Sequence, residues 1–130
     1  MHENEADFTL TFRRLCDDAF DIKMDRNLRN LFKDEGAYDK WSKSWRSRLS
    51  RESVSTEELT NLMRKVNPAV IPRNHHVEQA LNAAVENLDY GPFEKLVEVL
   101  SSPYEELEGQ SEFMQPTKPG EHVLQTFCGT

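Results

Sequence analysis

The sequence predicts an all-α protein, an irregular helical bundle with an extended C-terminal tail, on three observations. Apolar residues recur three and four positions apart from Phe8 to Leu100, the spacing that lines one face of a helix. No segment sustains the apolar–polar alternation of a half-buried strand. The interruptions, Asn67-Pro68 and Tyr90-Gly91-Pro92, are helix punctuation, because proline removes a donor and pushes the residue before it out of the α region.

About six helices follow from that spacing. Phe8, Phe12, Leu15, Ala19 and Phe20 form the first stripe, and Leu28, Leu31 and Phe32 a shorter one. Tyr38, Trp41, Trp45 and Leu49 set the third and are expected to share one buried face. Ser55-Thr56-Glu57-Glu58 reads as a capping box opening the fourth, in which Leu59, Leu62, Met63 and Val66 share a face. Val77, Ala80, Leu81, Ala84, Val85 and Leu88 mark the fifth, with Leu81 expected in the core. Phe93, Leu96, Val97 and Leu100 mark the last, with Pro92 in its first turn, where a missing N–H does no harm.

Composition shifts after Ser102. Three of the six prolines and three of the five glycines lie beyond it, with five acidic residues against one lysine. The expected organisation is therefore a helical domain over 1–102 and an extended, Pro/Gly/acid-rich tail over 103–130 that ends near a cysteine.

Charge narrows the function classes. Sixteen Lys and Arg stand against 23 Asp and Glu, a net charge of −7. That balance disfavours a nucleic-acid binder, whose affinity comes largely from neutralising phosphates, and an anionic-membrane binder. No apolar stretch approaches the ~20 residues of a membrane span. The first five residues, Met1-His2-Glu3-Asn4-Glu5, lack the apolar region of a signal peptide. Two cysteines, Cys16 and Cys128, are too few for a disulfide scaffold. A reducing, cytoplasmic location is expected.

Catalytic, cofactor and metal sites are not expected in these residues. There is no G-x-G-x-x-G and no Gly-Lys pair of a phosphate loop. Asp7-Phe8 is followed by Thr9 rather than Gly and sits in a helical stripe. His75 and His76 are adjacent, about 100° apart on a helix, and cannot act as an i, i+4 metal pair. The carboxylate pairs Asp17-Asp18, Glu57-Glu58 and Glu105-Glu106 read as surface or helix-start charge. Lys40, Lys43, Arg46, Arg48 and Arg51, interleaved with Trp41 and Trp45, read as a solvated helix face or one that meets an acidic partner. In the segment 67–74, two prolines fix the chain direction between helices; Asn74 is expected to cap the following helix, and Arg73 is the candidate for a carboxylate contact across a domain interface. Cys128, near the end of the tail, is the candidate accessible redox thiol, and no bond to Cys16 is expected.

Val66-Asn67-Pro68-Ala69-Val70-Ile71-Pro72-Arg73-Asn74-His75-His76 resembles the C-terminal region of the selenoprotein O family, pseudokinase-like proteins that transfer AMP from ATP onto other proteins. The resemblance continues through Glu78-Gln79-Ala80-Leu81, Phe93-Glu94-Lys95-Leu96 and Pro103-Tyr104 to Thr126-Phe127-Cys128-Gly129-Thr130. Upstream, Phe12-Arg13-Arg14-Leu15, the Trp41/Trp45 helix and Met63-Arg64-Lys65-Val66 also look like family sequence. It implies the helical C-terminal part of a longer enzyme whose kinase-like domain holds ATP and Mg²⁺ and carries the catalytic residues, none of which maps here. The partners implied are that kinase-like domain and the protein substrates. The family's noted C-terminal position, selenocysteine in some relatives, falls on Cys128, where the resemblance implies exchange with a thiol of the kinase-like domain. The alternative reading is a stand-alone α-helical interaction module that uses the basic Trp41/Trp45 helix.

Overall fold

The computed structural model describes residues 2–20, 28–118 and 120. Among them are five α-helices, two short 3-10 turns and no strand, which agrees with the all-α expectation. The chain divides into two compact units, Met1–Pro68 and Ala69–Thr130.

In the first unit, α1 spans Phe8–Phe20, α2 Glu35–Leu49 and α3 Thr56–Val66. Each start has a side-chain cap of the kind that satisfies orphan helix donors. Asp7 accepts from the Leu10 amide at 2.8 Å, Asp34 from those of Gly36 and Ala37 at 2.9 and 3.1 Å, and Ser55 from that of Glu58 at 3.2 Å. Leu28 and Arg29 are helical, and a tight turn closes behind them through Leu31 and Phe32 amides on the carbonyls three residues back. Leu15, Leu28 and Tyr38 form the core, flanked by Phe12, Leu31, Phe32, Trp45 and Met63.

Polar contacts join α1 to its neighbours. Arg13 is buried and donates to the carbonyls of Asn67 at 3.1 Å and Arg64 at 3.4 Å. A cation on the last carbonyls of α3 answers both their unmet acceptors and the negative end of the helix dipole. Asp17 pairs with Arg64 at 2.6 Å, and Asp18 takes two hydrogen bonds from Arg46 at 2.9 and 3.0 Å.

The second unit is a helical hairpin, α4 over Asn74–Asn87 and α5 over Gly91–Leu100. The three-residue connection makes the two helices antiparallel neighbours. Leu88 ends α4 at φ 53°, in the left-handed region, with its own amide and that of Asp89 both on the Ala83 carbonyl. This C-cap geometry normally takes glycine. The core comprises Ala69, Val70, Ala80, Leu96, Val99, Phe113 and Met114, with Val77 and Leu100 against it.

Several expectations are corrected. Asp18 is not surface charge: its side chain is 0% exposed and paired to Arg46. Trp41 is 44% exposed and stacks on half-buried Trp45 with ring centroids 5.6 Å apart; the buried residues of α2 are Tyr38 and Ser42. Leu62 and Val66 face outward, and α3 buries Thr60 instead. Leu81 is 48% exposed, so the core face of α4 is centred on Ala80. Asn74 is the first residue of α4, and the cap position belongs to Arg73, with no side-chain cap bond. Along the chain, the first compact unit ends at Pro68 and the second begins at Ala69. The segment after Ser102 brings Phe113 and Met114 into the second core, because their side chains close the hairpin on one side.

In the 130-residue chain, Leu96→Ala should lower unfolding free energy by about 2–5 kcal/mol, whereas Leu81→Ala should change it by about 0.5 kcal/mol or less, as at an exposed site. Urea unfolding of the two variants measures the contrast. Equal losses would refute this placement of the α4 face.

Candidate functional site

The residues singled out near the start of α4 gather around one side chain. Pro72 holds the chain extended into Arg73, at φ −71° and ψ 133°, before α4 begins. The Arg73 carbonyl then accepts from the amides of His76 at 3.0 Å and Val77 at 3.1 Å. The side chain turns from the helix it precedes, since a cation gains nothing from the positive end of a helix dipole. Arg73 is 8% exposed and donates from its guanidinium to the Met114 carbonyl at 2.9 Å. The contact found for it is thus within the second unit.

That bond places the Ser111–Met114 turn beside α4. His76 stacks on Phe113 with centroids 4.8 Å apart, and its Nε2 lies 3.4 Å from the Glu112 carbonyl. Thr117 Oγ1 lies 3.0 Å from His75 Nδ1. Behind Arg73, the Pro103 carbonyl accepts from the amides of Ala69 at 2.7 Å and Val70 at 3.2 Å. His76, Gln79, Lys95, Leu96, Glu112 and Phe113 border a cleft of about 190 Å³. The adjacent histidines therefore serve as packing and hydrogen-bonding groups toward the segment after Ser102. A sequence signal for Arg73 existed: a basic residue at a helix N-terminus has its acceptor elsewhere.

The other candidate positions lie apart. Cys16 is fully buried in α1, its thiol donating to the Phe12 carbonyl at 3.3 Å, and burial pushes its pKa up from the ordinary value. A thiol so placed is held protonated and inert near neutrality. Cys128 lies outside the described residues. In the basic helix α2, Arg46 is committed to Asp18, while Lys40, Lys43 and Arg48 are exposed around the Trp41–Trp45 stack. Across α2's start, the Arg29 guanidinium hydrogen-bonded to Asp39 holds that carboxyl below its usual range. No group of three or more His, Cys, Asp or Glu placed to hold a metal occurs among the described residues. No helix among them is long and apolar enough to cross a membrane.

Residues 1–101 match the family described as Protein adenylyltransferase SelO. Over all 130 residues the chain is 50% identical to a Protein nucleotidyltransferase YdiU of Rhizobium meliloti, and again 50% identical to one of Rhizobium johnstonii. A third, from a Bradyrhizobium strain, is 51% identical over 126 residues, 97% of this chain. In each case the chain spans about a quarter of the relative's length, 26%.

Arg73→Ala would leave the Met114 carbonyl without this donor, a loss of about 1–3 kcal/mol. Arg73→Ala should therefore lower the urea midpoint of the second unit and release the Ser111–Met114 turn to faster amide exchange. Unchanged exchange at Phe113 and Met114 would show that Arg73 does not hold the turn.

Proposed function

The chain belongs to the SelO protein adenylyltransferase family, and on that premise we propose that it is the C-terminal helical portion of a longer enzyme that transfers AMP from ATP to hydroxyl groups of proteins. The observation carrying this reading is the asymmetry of the match: the whole chain aligns, yet it covers 26% of the relatives' length. In this reading the kinase-like domain outside these 130 residues binds ATP and Mg²⁺, conducts the chemistry in the cytoplasm, and is the chain's principal partner. Among the described residues, none are arranged to hold a nucleotide–metal complex. The sequence has no glycine-rich phosphate loop, and no metal-holding cluster occurs among the described residues. Phosphoryl and nucleotidyl transfer depend on such positioning and charge neutralisation, which this reading gives to the kinase-like domain. The role proposed for these helices is structural or regulatory: packing on the kinase-like domain, with Cys128 as the candidate thiol for redox exchange and Arg73 for interdomain contact.

The alternative, a stand-alone interaction module, draws on the exposed Trp41 and the lysines around it. The reading frame separates the two, since the enzyme reading requires kinase-like sequence continuing upstream of Met1. Incubation with labelled ATP and Mg²⁺ tests the division of labour. The expected outcome is AMP incorporation by the long polypeptide and none by residues 1–130 alone. Stoichiometric labelling of the purified 130-residue chain would contradict it.

A further inference from the structure

The hairpin has two sides, and its own unit covers one of them. His76 on α4 packs on Phe113, and Lys95 on α5 borders the same cleft. At about 100° per residue, Leu81 and Val85 lie roughly 140° and 180° round α4 from His76, and Phe93 and Val97 about 160° round α5 from Lys95. Both sets therefore turn away from the cleft beside Phe113. They are exposed there: Val85 at 79%, Val97 at 52% and Phe93 at 47%. Leu88 extends the row at 76% exposed. Its backbone is in the left-handed conformation, which is unfavourable for a residue that carries a Cβ. A leucine there bears strain and gains no burial within its own unit. An apolar surface of this continuity marks an interaction site.

Charge points to the nature of the partner. Residues 74–100 carry five carboxylates and one lysine. Glu78 lies one turn before Leu81, Glu86 follows Val85, and Glu94 and Glu98 follow Phe93 and Val97; all four are exposed. A surface complementary to this one is apolar at its centre and carries Lys or Arg at its edge.

We propose that the Leu81/Val85/Leu88–Phe93/Val97 side of the hairpin is the docking surface for the rest of the enzyme, a basic-rimmed apolar patch on the polypeptide outside residues 1–130. This rests on the reading of the chain as part of a longer adenylyltransferase. The length argues for that occupant: relatives of this chain carry about three-quarters of their residues outside the matched region, since the match covers 26%.

Single-cysteine probes in the full-length polypeptide test it. Val85→Cys and Val97→Cys are labelled with a maleimide, with Glu57→Cys on the exposed start of α3 as the control, and each site is followed by peptide mass spectrometry. The expected result is labelling at 85 and 97 about tenfold or more slower than at 57, as for sites reached only after local opening, unchanged by dilution. A carbodiimide should also join Glu94 or Glu98 to lysines outside residues 1–130 within one molecule. Labelling at 85 and 97 as fast as at 57 overturns the proposal, and so does protection lost on dilution, which would make a second copy the occupant. If the frame continues into kinase-like sequence and labelling is fast, the surface assignment alone fails. A frame closed at Met1 removes the enzyme reading itself.

Discussion

The guanidinium of Arg73 on the Met114 carbonyl is the contact around which the second unit is organised. It ties the start of α4 to the 3-10 turn at Ser111–Met114, so that Phe113 and Met114 reach the core beside Ala80, Leu96 and Val99. A buried cation is costly unless it is hydrogen-bonded, and Arg73 takes a backbone carbonyl that the turn would otherwise leave without this donor. By fixing the turn on one side of the hairpin, the same contact determines which apolar residues are covered and which are not. Ala80 and Leu96 are inside; Leu81, Val85 and Val97 are outside.

A similar device operates in the first unit. Arg13 lies on the C-terminal carbonyls of α3, while Asp17 and Asp18 reach Arg64 and Arg46. In both units a buried arginine on main-chain oxygen sets the position of an element end, and apolar packing fills in around it. This arrangement is suited to holding helices in a fixed relation.

Much of the fold was legible because its signals are local. Ser55 caps α3, Asn67-Pro68 ends it, and Pro92 sits in the first turn of α5, each through a bond or clash within a few residues. The start of α2 at Glu35 has a good cap residue in Asp34, but its apolar pattern begins only at Tyr38, so periodicity does not mark it. Periodicity identified the apolar sectors of α4 but not which part of them the unit covers. That depends on Phe113 and Met114, more than thirty residues from Ala80 in the chain. The burial of Asp18 is not legible for the same reason, since its partner Arg46 is 28 residues away. Of the candidate site, the chemistry of Arg73 could be read but its acceptor could not.

Removing these helices from the enzyme tests the central claim most directly. On the proposed reading, a longer polypeptide shortened by residues 1–130 should lose AMP transfer, because the apolar patch proposed on its remaining part is uncovered. Adding the purified 130-residue chain should restore transfer. A shortened enzyme that stays soluble and transfers AMP at the full rate without that addition would contradict the account.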